Sequence, residues 1–114
     1  MADCIFCRIA RGDIDAAEVY RDDEIVAFRD INPQAPVHML VIPVAHLTGI
    51  AAADDDDIAL LGKLLKVARD LAAEQGLDKR GYRLVINQGL EAGQSVDHIH
   101  VHLLGGRPMR WPPG

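Results

Sequence analysis

Aromatic residues are scarce in this sequence: two Phe, two Tyr and one Trp among 114 residues. Aliphatic side chains and Ala must therefore fill the core, and a hydrophobic content of 49% supplies them. Basic runs are missing as well. Twelve Lys and Arg stand against seventeen Asp and Glu, a formal charge of −5. No broad footprint for duplex nucleic acid is expected, and an anionic ligand would have to be held locally. Long apolar runs are also lacking. The longest, Met39 to Ala45, has seven residues with Pro43 inside it, too short for a membrane span. Met1-Ala2-Asp3-Cys4 shows no basic and then apolar leader. A soluble, cytoplasmic protein that engages neither membrane nor nucleic acid is expected. Cysteine is limited to Cys4 and Cys7. A bridge between them would close a tiny loop and add little stability, which leaves metal binding or redox chemistry for the pair.

The length and composition fit one domain spanning residues 1–114, large enough to bury roughly two-thirds of its unfolded surface. Cys4 to Arg11 reads as a short helix or turn before Gly12. Ala17 to Tyr20 and Ile25 to Arg29 alternate around Arg21-Asp22-Asp23, which predicts a β-hairpin. Asn32 to Pro36 breaks regular structure, and His38 to Ile42 is a strand closed by Pro43. Ile58, Leu61, Leu65, Ala68 and Ala72 recur at helical spacing, so a helix is predicted over residues 55–75, before Gly76. The acidic run Asp54 to Asp57 is read as its N-cap and dipole complement rather than as a metal site. Tyr82 to Asn87 alternates again, Gly89 to Gly93 loops, and Val96 to Leu104 is a final strand. The order βββ-helix-ββ predicts an α+β fold with an antiparallel sheet.

The chemistry concentrates in the histidines, all five of which lie outside the long helix. His98, His100 and His102 stand at alternate positions, so in a strand they share one face. Neighbours would be roughly 6.6 Å apart, making a row about 13 Å long, with Ile99, Val101 and Leu103 facing the core. The bland alternative is three polar residues on a solvated face. A row that long exceeds the reach of one zinc ion with bonds of about 2 Å, so some of its members must do something else. A neutral imidazole is a good nucleophile toward phosphorus, and a protonated neighbour can stabilise the phosphoryl oxygens. Upstream, Gly89 to Ser95 offers backbone N–H donors and a hydroxyl, an anion cradle beside the row or simply a hairpin loop.

His98-Ile99-His100-Val101-His102-Leu103-Leu104 resembles the His-φ-His-φ-His-φ-φ signature of the histidine triad (HIT) superfamily. The segments Ala27 to Ile31, Pro33 to His38, Leu40 to Pro43, Gly93 to Val96 and Trp111 to Gly114 resemble its histidine triad nucleotide-binding (Hint) branch. That resemblance implies a HIT-like five-stranded antiparallel sheet with one long and one short helix, dimerising into a ten-stranded sheet. It implies a purine nucleoside phosphoramidase needing no cofactor for catalysis. In that role His100 is the nucleophile, His38 and His102 orient groups and bind phosphate, and Ser95 assists the leaving group. Asn87 and the Gly93, Gln94 and Ser95 backbone would contact phosphate, and Asp30 the ribose hydroxyls. Phe6, Phe28 and Ile31, with Ile5 and Ile9, would hold the purine. Trp111 would lie near the active site of the homodimer partner. By the same resemblance Cys4, Cys7, His46 and His98 would bind a structural zinc. The alternatives are a dinucleoside polyphosphate hydrolase and a nucleotide- or zinc-binding adaptor with residual hydrolysis.

Overall fold

The computed structural model describes residues 4–114, and the predicted alternations assemble into a five-stranded antiparallel sheet of order β1-β2-β3-β5-β4. Its strands are β1 (Glu18–Arg21), β2 (Ile25–Arg29), β3 (Val37–Pro43), β4 (Tyr82–Val85) and β5 (Val101–Gly105). Asp22 closes the β1–β2 hairpin, its Oδ1 accepting the N–H groups of Glu24 at 2.8 Å and Ile25 at 2.9 Å. β2 pairs with β3 throughout, Phe28 opposite Leu40 and Val26 opposite Ile42.

Period-two alternation gives the sheet two apolar faces. One takes Ile25, Ala27, Met39, Val41, Val101 and Leu103, and the long helix α2 (Ile58–Glu74) covers it with Leu64, Val67, Ala68, Leu71 and Ala72. The other takes Val26, Phe28, Leu40 and Ile42, against which the short helix α1 (Ile5–Ala10) packs Phe6, Ile9 and Ala10. A six-residue helix covers only part of that face. The uncovered remainder, toward β5, holds the site. Among the described residues no helix is long and apolar enough to cross a membrane.

The acidic run is a cap. Asp54 Oδ1 accepts from the Asp56 N–H at 2.8 Å, and the Asp54 N–H donates to Asp57 Oδ2 at 3.0 Å. Asp55–Asp57 forms a 3-10 turn that leads into α2. Most boundaries shift by a residue, α2 begins at Ile58 after the 3-10 turn, and three further departures from expectation are larger. A second short helix, α3 (Leu77–Arg80), follows Gly76, whose φ of +74° turns the chain back instead of ending helical structure. β4 stops at Val85, short of Asn87. β5 begins at Val101 rather than Val96, because the groups before it bond elsewhere: the Ile99 N–H donates to the Leu47 carbonyl at 2.6 Å, and the His98 ring takes the Pro43 carbonyl at 2.8 Å.

Candidate active site and metal centre

The three alternating histidines do not form one straight row. Only His102 lies in β5; His98 and His100 occupy the irregular lead-in and are buried, 0% and 4% exposed. The alternation itself persists, since Ile99, Val101 and Leu103 face α2. The bend brings the His100 and His102 ring centroids to 4.9 Å and turns His98 toward the cysteines. The histidines therefore divide into two groups.

The first group is His100, His102 and His38. A carbonyl can only accept, so the 2.8 Å contact to the His98 carbonyl puts the proton of neutral His100 on Nδ1 and leaves the lone pair on Nε2. The Gln34 N–H donates to His38 Nδ1 at 3.1 Å, which places the His38 proton on Nε2, 2.9 Å from His102 Nδ1. His102 then accepts at Nδ1 and carries its own proton on Nε2. Register explains the meeting: Leu40 lies opposite His102 and His38 opposite Leu104, so the two histidines are diagonal neighbours on one face. Asp30 Oδ2 stands 3.5 Å from His38 Nε2. Burial nevertheless holds His38 below its ordinary pKa despite that carboxylate. Burial, reinforced by His100 and His38, pushes His102 down to about 4. At neutral pH both are neutral donors and acceptors. Asp30, His38 and His102 lie close enough to suggest a metal site. The Gln34 N–H argues otherwise, since it leaves the His38 atom nearest the other two protonated.

The His100 and His102 rings, with His38 behind His102 and outside the lining, open onto a cavity of about 410 Å3 lined by Phe6, Phe28, Asp30, Ile31, Ser95, His100 and His102, with Ile5 and Ile9. That volume suits a small-molecule ligand. Phe6 sits edge-on to Phe28 at 5.6 Å and to His100 at 5.1 Å, which fixes one apolar wall against the nucleophile candidate. Ile31 is 100% exposed on the rim. Asn87, Gly93 and Gln94 are outside the lining. Gln94 braces its own loop, accepting the Gly89 N–H at 2.8 Å and donating to the Thr48 carbonyl at 2.7 Å. Gly93, at φ +79°, ends the 3-10 turn Leu90–Ala92. Trp111 is 83% exposed and outside this chain's cavity. Sequence reasoning did not assign Ile14, Asp15, Ala16, Arg29, Leu40 and Val96 to the lining. Leu40 was recoverable, being two residues from His38 in one strand, and Arg29 and Val96 adjoin assigned residues; Ile14, Asp15 and Ala16 carry no signal.

The second group is Cys4, Cys7, His46 and His98, whose ligand atoms all lie within 4.8 Å of one another. The sulfurs are 3.5 Å apart and therefore not bonded. The two Nδ1 atoms are 3.1 Å apart, and the four sulfur–nitrogen distances run from 3.1 to 3.7 Å. A zinc tetrahedron with bonds of about 2.0 Å to nitrogen and 2.3 Å to sulfur has edges of about 3.3 to 3.8 Å. The donor set fits such an ion. His98 donates Nε2–H to the Pro43 carbonyl, so its tautomer is fixed and its Nδ1 presents a bare lone pair to the centre, as a metal-binding imidazole requires. Burial, with the Cys4 side chain adding to it, pushes the Cys7 thiol up, and a divalent cation would reverse that balance.

Comparison with known proteins follows the same pattern. The HIT domain model matches residues 11–109. The maize "14 kDa zinc-binding protein" is 54% identical over 112 residues, covering 96% of this chain and 87% of its own. The crystal structure of a HIT family hydrolase from Legionella pneumophila is 54% identical, with a TM-score of 0.97, and covers 98% of this chain and 100% of its own. A histidine triad nucleotide-binding protein from Candida albicans is 33% identical with a TM-score of 0.80, over 95% of this chain and 85% of its own.

Proposed function

The chain belongs to the HIT domain family, and from that premise we propose that it is a purine nucleoside phosphoramidase of the histidine triad nucleotide-binding branch. The observation that carries this reading is the His100 ring. It lines an apolar cavity with Nδ1–H tied to the His98 carbonyl at 2.8 Å, which leaves Nε2 as its nucleophilic atom. Nε2 attacks the α-phosphorus of a nucleoside 5′-phosphoramidate, the P–N bond breaks, and the amine departs with a proton taken from solvent, which the later attack of water returns. Water then attacks the nucleotidyl-histidine, releases the nucleoside monophosphate and restores the ring. His102, with its proton on Nε2, donates to a phosphoryl oxygen, and His38 holds that tautomer through its 2.9 Å contact. Asp30 receives the ribose hydroxyls, and Phe6, Phe28 and Ile31 take the purine. Ser95 assists the leaving amine, while Asn87 and the Gly93 to Ser95 backbone approach the phosphate. Two copies pair through β4.

Cys4, Cys7, His46 and His98 would hold zinc, which supplies a structural cross-link between chain segments distant in sequence. The maize relative's name and the 3.1 to 3.7 Å donor spacings support that assignment.

Mass spectrometry of protein quenched during turnover of adenosine 5′-monophosphoramidate tests the reaction. An added AMP mass on wild type, lost in His100→Ala, is expected. Faster turnover of diadenosine polyphosphate would assign the protein to the rival hydrolase reading. Absence of both adduct and AMP release, with nucleotide still bound, would favour an adaptor.

A further inference from the structure

Resting on the reading above, in which His100 takes the phosphoryl group and the four-ligand centre takes zinc, we propose that this centre is a positioning element of the nucleotide site. It acts through two separate connections.

The first runs through His98. Its Nδ1 belongs to the centre, its Nε2 is held by the Pro43 carbonyl, and its own carbonyl accepts the Nδ1–H of His100 at 2.8 Å. A bound ion on Nδ1, with the Pro43 carbonyl on Nε2, therefore leaves neither ring nitrogen free in the residue that sets the nucleophile's orientation. The second runs through α1. Cys4 caps this helix, its Sγ accepting the Cys7 N–H at 3.3 Å, and Cys7 lies within it. Between them Phe6 reaches the cavity, edge-on to His100 at 5.1 Å and to His98 at 5.9 Å. A six-residue helix has no stability of its own, so whatever anchors its first turn also places the apolar wall.

The ligand positions make the centre an effective anchor. His46 and His98 are 42 and 94 residues from Cys4, and the centre joins α1, the segment after β3 and the lead-in to β5. His46 has its Nε2 buried with no hydrogen-bond partner, so no other polar contact of the ring orients it besides its Nδ1 in the centre. The α2 core lies on the opposite face of the sheet and contains none of the four ligands. Emptying the centre is thus expected to loosen the nucleotide site while leaving the sheet and α2 folded. The positioning residues are Cys4, Cys7, His46 and His98; none of them touches substrate.

The test compares full-length protein loaded with Zn2+, the same protein stripped by a chelator, and the variants Cys7→Ser and Leu64→Ala. Two readouts are independent of turnover: AMP affinity by calorimetry, and the His100 Nδ1 proton in 15N-edited NMR. Stripping and Cys7→Ser are each expected to weaken AMP binding about 10-fold and to broaden the Nδ1 proton, while β2 and β3 amide signals stay put. Leu64→Ala, which opens a cavity under α2, lowers Tm but leaves AMP affinity and the Nδ1 proton as in wild type. Readdition of Zn2+ restores the stripped wild type. Unchanged AMP affinity and Nδ1 proton after stripping would overturn the proposal. Equal weakening by Leu64→Ala, global unfolding on stripping, or failure to bind the metal would each do the same. Failure of the phosphoramidase reading shows itself separately, as zinc-loaded protein that binds AMP and cleaves no phosphoramidate.

Discussion

His102 is neutral because burial dominates its environment, and that has a pH consequence. Its folded pKa of about 4 lies below the ordinary value of about 6.5. Between those values the unfolded chain takes up a proton that the folded ring refuses. His102 therefore contributes a loss of stability as pH falls from about 6.5 to 4, and none above that window. His38, shifted the same way, adds to it. Tm followed by calorimetry from pH 7 to 4 should fall more steeply in wild type than in His102→Gln; parallel curves would refute the assignment. His100 plays a different part. His100→Ala should lower kcat by about 10^4 or more while AMP still binds, as expected for a lost nucleophile, and stopped-assay rates near wild type would remove it from that role. At this scale the sequence was informative about chemistry and silent about partners. Alternate spacing put His100 and His102 together, but the Gln34 N–H and the His98 and Pro43 carbonyls that set their tautomers are backbone groups, which residue identity does not encode.

The elements that read clearly from the sequence are those whose periodicity matches their burial. β3 alternates between its two faces, whereas α2 was legible as a helix but not in its exact face: of the expected stripe Ala68 and Ala72 are buried and Leu61 is partly buried, Ile58 and Leu65 are exposed, and Leu64, Val67 and Leu71 complete the face on the sheet. β5 was misread because period two continues through residues 98–100 in the sequence while the backbone leaves the ladder there. The Ile99 N–H turns to Leu47, and the His98 ring takes the carbonyl of Pro43. α3 was hidden for a similar reason: Gly76 carries the residue type of a helix stop, yet Leu77 is 3% exposed and anchors another turn. The acidic run yields a prediction at this scale. Asp54 and Asp57 make reciprocal bonds, whereas no side-chain bond is shown for Asp55 or Asp56. Asp54→Ala should cost about 1 kcal/mol of stability. Asp55→Ala should cost less, its charge favouring the helix start only through the dipole. Urea unfolding of the two variants decides the matter, and equal losses would mean the run acts through charge alone.

For the whole molecule, the sheet ends at two edges that differ in readiness to pair. β1 is irregular, its register shifting between Glu18 and Tyr20, and it carries the Arg21–Glu18 ion pair along the edge; both features discourage pairing. β4 pairs regularly with β5 on one side. The C-terminal tail is tied to that strand, the Arg83 Nη2 group donating to the Arg110 carbonyl at 2.8 Å. A second copy joined across β4 would thus meet the exposed Trp111 of the first. Light scattering should return about twice 12.4 kDa, and mixed subunits show which site Trp111 serves. Neither His100→Ala nor Trp111→Ala homodimers should work fully. In a mixed dimer, the subunit retaining His100 receives an intact Trp111 from its partner, so one site of two is complete. After unfolding and refolding together in equal amounts, the mixture should recover about a quarter of wild-type kcat/KM, above the mean of the two variants assayed apart. If Trp111 served its own chain, every site would keep one of the two lesions and mixing would add nothing.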